Sequence, residues 1–208
     1  ELGAFVVFIS TDYVFDGTSP PYQVTDQTNP LNKYGFSKRE GEVITLDSSK
    51  ENIVLRVPIL YGEVTSWEES AITTLFPKVW NKNVECIMSD YEIRYPTHCD
   101  DVSWILKELL RKRQKDSSLT GIFHWSSNEK MTKYEMCLTM ARVFNLPTGH
   151  IKADKSPSGG ANRPFNAHLD PKRIVELGLS RNTPFAEGVL SCIVKGTFTN
   201  TLVLPKID

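Results

Sequence analysis

The sequence predicts an α/β protein: part of a doubly wound parallel sheet, followed by a smaller α/β lobe. Three observations carry this expectation. Residues 5–9 form a continuous apolar run bounded by polar residues, the pattern of a parallel strand covered on both faces. Ser10 and Thr11 follow at once, putting hydroxyls at the carboxyl end of that strand, where open α/β sheets place their ligands. Tyr34 and Lys38 then stand four residues apart, so on a helix both project from one face. An ammonium held near a phenol favours the phenolate, which suits an acid working near neutral pH. By itself Tyr-x-x-x-Lys is common in a chain with 7 Tyr. Its weight comes from the strand end before it and from Leu55-Arg56-Val57-Pro58-Ile59-Leu60-Tyr61-Gly62 after it.

Along the chain, Asp16-Gly17 and Ser19-Pro20-Pro21 mark a turn and an extended loop, punctuated again by Asn29-Pro30. The loop is placed to cover a ligand. A helix is expected over 34–46, and then a strand over 53–57 that Pro58 ends. Arg56 reads as structural, spanning to a loop carboxylate. Glu68-Glu69-Ser70 should open a helix with acids in its first turn, and Pro77 should kink or end it near Leu75–Phe76. A short strand over 84–88 and an irregular stretch over 90–99 follow. Asp100-Asp101 caps the next helix, whose basic end at 111–115 complements the helix dipole. Residues 121–125 form a strand, and Thr132 with Glu135 is a capping box. Tyr134, Cys137, Leu138, Ala141 and Phe144 give that helix one apolar face, while Met131, Met136 and Met140 read as core filler. Asp170-Pro171 opens a short helix that Gly178 closes, and Thr183-Pro184 repeats the signal. Residues 189–195 read as helical, and 197–208 as small, β-prone and apolar.

Acids and bases nearly cancel, 25 against 24, so no global field favours nucleic acid or a membrane as a partner. The four cysteines and four histidines are dispersed, without metal-ligand spacing, which fits reduced cytosolic thiols and no metal site. No membrane-length apolar stretch or signal peptide is visible, so a cytoplasmic protein is expected. No Gly-x-Gly-x-x-Gly or Gly-x-x-Gly-x-x-Gly loop is present. A pyrophosphate cradle needs such glycines at a strand-to-helix turn, so the sequence reads as a piece of a longer chain.

The strand end, the Tyr34/Lys38 helix and the segment after the next strand together resemble the second half of an extended short-chain dehydrogenase/reductase core. That resemblance implies a Rossmann-type sheet in which Thr11, Tyr34 and Lys38 form the catalytic triad. It also implies that Tyr34, Lys38, Pro58, Ile59 and Leu60 border the NADP cofactor. Ser10-Thr11-Asp12-Tyr13-Val14-Phe15-Asp16-Gly17 resembles the dTDP-4-dehydrorhamnose reductase branch. So does Arg163-Pro164-Phe165-Asn166-Ala167-His168-Leu169-Asp170, with Ala167 in place of the branch's Ser. Within the branch, residues 56–63, 95–98, 121–126, 131–136 and 144–147 are similar to the regulatory beta subunits of methionine adenosyltransferase. The resemblance runs over roughly residues 3–187, and the tail beyond Gly188 departs from it. It implies an NADP-binding regulator whose partner is the catalytic subunit that makes S-adenosylmethionine. The other readings are an NADPH-dependent reductase of a nucleotide-sugar ketone and a truncated product with no function of its own. Residues 1–66 are expected to be the second half of the NADP-binding core, and 67–208 a mixed remainder, mainly the small lobe. Without the glycine-rich half, this chain alone is expected to bind NADP weakly or not at all.

Overall fold

The computed structural model describes residues 4–195, so the expectation for 197–208 lies outside the described residues. The chain runs through β1 (Val7–Thr11), α1 (Lys33–Ser48), β2 (Ile53–Val57), β3 (Leu60–Tyr61), α2 (Phe76–Trp80) and β4 (Cys86–Ser89). It continues through β5 (Thr97–His98), α3 (Cys99–Lys115), β6 (Gly121–His124), α4 (Lys133–Val143), β7 (Ile151–Asp154), α5 (Lys172–Glu176) and α6 (Phe185–Lys195). The main sheet is parallel, in the order β1-β2-β6, with Thr11 opposite Val57 and Arg56 opposite His124. Two smaller parallel pairs, β3-β5 and β4-β7, lie outside it.

β2 is buried along its whole length. Ile53, Leu55 and Val57 pack with Val102, Ile105 and Leu109 of α3 and with Ile174 of α5. Arg56 points the other way, to Glu42 of α1. Both faces of β2 are therefore covered. The apolar run expected to be covered on both faces, residues 5–9, is instead only partly buried, with Val6 exposed. A second core gathers Ile72, Phe76 and Val79 with Met136, Met140, Phe185 and Ile193. The two methionines fill it, as the sequence indicates.

Three local readings need correction. The first strand covers Val7–Thr11 rather than 5–9, because Ser10 and Thr11 are buried with their hydroxyls satisfied. Polarity ends a strand only where the polar atoms need water. The segment from Trp67 is not one helix. It makes two short 3₁₀ turns, Trp67–Glu69 and Thr73–Leu75, before α2. Pro77 sits in the first turn of α2, where its missing N–H has no helical acceptor to lose, so it starts a helix instead of ending one. The cap of α3 is His98, whose Nδ1 accepts from the Asp100 N–H at 3.1 Å. Asp101 is instead buried, accepting from the N–H and hydroxyl of Thr183 and pairing with Arg181 at 3.2 Å. The capping box of α4 is present as read.

Candidate functional site

Parallel pairing brings the carboxyl ends of β1 and β2 side by side, and α1 returns beside them. The result is a cleft of about 380 Å³ lined by Thr11, Tyr34, Lys38, Pro58, Ile59 and Leu60, so every sequence-predicted site residue meets there. Asn32 starts α1 by accepting from the Gly35 N–H at 2.9 Å, which fixes where Tyr34 and Lys38 leave the helix. Lys38 Nζ donates to the Ile9 carbonyl at 2.9 Å and lies over the Phe8 ring, 5.0 Å from its centre. Of its three donors, two stay free for a ligand. Tyr34 is half exposed and meets the Tyr13 ring edge-on at 5.9 Å. Gly35 allows this approach, because a Cβ there would lie 2.3 Å from the Tyr13 carbonyl oxygen.

Thr11 is less free than its place in the cleft implies. Its hydroxyl donates to Asp12 Oδ1 at 3.0 Å and accepts from the Tyr13 N–H at 3.2 Å. Sequence reading missed Asp12 and Tyr13, which also line the cleft. Burial pushes the Asp12 carboxyl up to about 6, against the pull of the Arg94 guanidinium. Burial also raises the Tyr13 phenol, whose oxygen accepts from Arg94 at 3.4 Å. The signal for both was the acid and phenol directly following the strand-end hydroxyls.

Beneath the cleft runs a closed polar network. Ser10 Oγ donates to Glu42 at 2.5 Å, and Arg56 grips the same carboxylate with two N–H groups at 2.9 and 2.7 Å. Arg56 also donates to His124 Nε2 at 3.2 Å, and His124 Nδ1 donates to the Tyr22 carbonyl. Burial and the neighbouring Arg56 lower His124 to about 3, so it stays neutral. The partner of Arg56 thus lies on a helix and not on a loop, and the loop is held through Tyr22. Among the described residues, no group of three or more His, Cys, Asp or Glu side chains is placed to hold a metal. All four cysteines are free thiols. No helix among the described residues is long and apolar enough to cross a membrane.

The chain is similar to the methionine adenosyltransferase 2 subunit beta of Bos taurus, 49% identical over 189 residues, or 90% of this chain and 57% of that protein. It therefore spans less than two thirds of that relative. It is 33% identical over 181 residues to a dTDP-4-dehydrorhamnose reductase of Sinorhizobium fredii, covering 81% of this chain and 58% of that one. In fold it resembles the dTDP-4-dehydrorhamnose reductase of Bacillus anthracis, solved in complex with NADP. That likeness has a TM-score of 0.79 at 23% identity, over 93% of this chain and 65% of the other. Residues 1–197 match the family described as RmlD substrate binding domain, and the chain belongs to that family.

Proposed function

We propose that this chain is part of a regulatory subunit of methionine adenosyltransferase, cytoplasmic and non-catalytic, that holds NADP and modulates S-adenosylmethionine synthesis by contact with the catalytic subunit. The observation that carries the reading is the 49% identity to a protein bearing that subunit's name. The cleft suits the nicotinamide-ribose end of such a cofactor. Two free Lys38 donors and the Tyr34 hydroxyl match ribose hydroxyls, and Pro58, Ile59 and Leu60 offer an apolar wall for a flat ring. When bound, the cofactor supplies hydride chemistry; this chain's residues bind it and orient it.

A second reading, a reductase of a nucleotide-sugar ketone, draws on the meeting of Thr11, Tyr34 and Lys38 in one cleft. There Tyr34 is the proton donor to a carbonyl oxygen, and Lys38 supports it electrostatically. The two readings separate in one variant. Mixed with the catalytic adenosyltransferase, the full-length protein that contains this chain should co-elute with it and change its kinetics. Tyr34→Phe in that protein should leave the response nearly intact, at most the loss of about one hydrogen bond to NADP. In a reductase, the same change should cost roughly 10²–10⁴-fold in turnover, because the proton donor is gone. Loss of the adenosyltransferase response in Tyr34→Phe with NADP binding preserved would refute the non-catalytic reading.

A further inference from the structure

Two thiols meet in the second core, away from the cleft. Burial alternates along β4, so Cys86 and Met88 point inward while Ile87 points to solvent. α4 lies against the inward side and brings Cys137 up to Cys86 within one apolar core. The two side chains are hydrogen-bonded, with the Cys137 thiol donating to Cys86. Both elements are held in place by other bonds. The Cys86 N–H donates to the His150 carbonyl, just ahead of β7, at 2.9 Å. The Thr132 hydroxyl that caps α4 donates to Asp90, just beyond β4, at 2.9 Å. The thiols are thus presented to each other by fixed elements, which suits the strict geometry of a disulfide.

They differ in access and in acidity. A groove of about 350 Å³ runs between α2 and β4, lined by Pro77, Lys78, Val84, Cys86 and Met88 among others, so a small oxidant reaches Cys86 without unfolding the core. Cys137 does not line this groove and is fully buried. Burial raises Cys86, while Lys78 and the hydrogen bond from Cys137 act the other way. Burial pushes Cys137 up to about 12. Cys86 is therefore the thiol that meets an oxidant as thiolate, and Cys137 stands behind it as the second thiol. Cys192 is placed differently, with its Sγ facing His98 Nε2 at 3.4 Å.

We propose that Cys86 and Cys137 are a reversible modification site, a dithiol that a hydroperoxide arriving through the groove converts to a disulfide. The Cys86 thiolate attacks one peroxide oxygen and the O–O bond breaks. Cys86 becomes a sulfenic acid, and the leaving hydroxide takes up the proton that Cys86 had released, giving water. The Cys137 sulfur then attacks the Cys86 sulfur, the S–O bond breaks, and hydroxide departs with the Cys137 proton as a second water. Two thiols and one hydrogen peroxide give one disulfide and two waters, and a small dithiol reverses the change. The product ties β4 to α4 across 51 residues (137 − 86).

Neither reading of the cleft enters the test. The full-length protein that contains this chain is treated with increasing hydrogen peroxide, quenched in acid, blocked with N-ethylmaleimide in urea, digested without reduction and mapped by mass spectrometry. The expected product is a peptide pair joined through Cys86 and Cys137, formed while the protein is folded and removed by dithiothreitol. In Cys137→Ala, dimedone should trap Cys86 as its sulfenic acid. In Cys86→Ala, Cys137 should stay a thiol, and its oxidation there overturns the assigned order of attack. The site itself is overturned if Cys86 and Cys137 are both still thiols at peroxide levels that oxidise Cys99. It is equally overturned if other cysteines pair in their place, or if the Cys86–Cys137 link forms only in urea. The map of the unsubstituted protein decides these outcomes even where a variant fails to fold.

Discussion

Asp12 carries the clearest pH dependence of any residue lining the cleft. Its carboxyl is held up to about 6, while in the unfolded chain it ionises near 3.8. Between those values the native state binds the extra proton, so this residue's contribution to stability falls as pH rises through the window and is lowest above it. Asp12→Asn keeps an acceptor for Thr11 and removes the titration. The variant should therefore gain on the wild type by roughly 2–3 kcal/mol on going from pH 4 to pH 7.5, measured by urea denaturation at both. His124 titrates in an overlapping range with the opposite sign: neutral in the fold down to about 3, it withdraws stability as pH falls below 6.5. It is common to both proteins and cancels in the comparison. No pattern in the sequence marks Asp12 as buried. Burial raises its carboxyl, and the Arg94 guanidinium that opposes this comes from beyond three intervening strands in the chain. Tyr34 and Lys38 were legible because their relation is local, one helical turn.

Between elements, α1 is fixed to the sheet by two devices of different kinds. One is the Arg56–Glu42 pair, with side chains 3% and 4% exposed. Arg56→Met leaves a buried carboxylate without its partner and should cost about 3–5 kcal/mol in chemical denaturation. Adding Glu42→Leu should recover most of that loss, since an apolar pair of similar volume carries no desolvation penalty. The other device is Gly35, a poor helix former by propensity. Its Cβ, if present, would meet the Tyr13 carbonyl at 2.3 Å and the Pro30 ring at 2.9 Å. Gly35→Ala should push α1 off the cleft wall and lower stability by about 1–3 kcal/mol, with Tyr34 displaced in a crystal structure of the variant. The helix itself could be read from sequence, but its distance from Tyr13 could not. Pro77 teaches the same lesson at an element's edge: proline marks a boundary, and only neighbouring hydrogen bonds decide whether a helix begins or ends there.

Across the whole molecule, the parallel sheet was legible from the order of apolar residues at 5–9. That run is only partly buried, and it is β2, with Arg56 in it, that is covered along its whole length. The smaller β3-β5 and β4-β7 pairs were harder to read, since strands of 2 and 4 residues carry too little alternation to declare a partner. The main sheet is also assembled from far apart. Val7 pairs Ile53 across 46 residues (53 − 7), and Ile53 pairs Gly121 across 68 (121 − 53). Such non-local pairing should make refolding a millisecond-to-second process rather than a microsecond one, measurable by stopped-flow fluorescence. During that interval Ile53-Val54-Leu55-Arg56-Val57 has neither neighbour, and it is a short, β-prone, apolar window of the kind that self-associates. Arg56 is its one charge. In the native state that charge is a buried anchor; in the unpaired chain it is a gatekeeper against aggregation. Arg56→Met should then lower the yield of soluble protein on refolding from concentrated denaturant, even with Glu42→Leu restoring native stability.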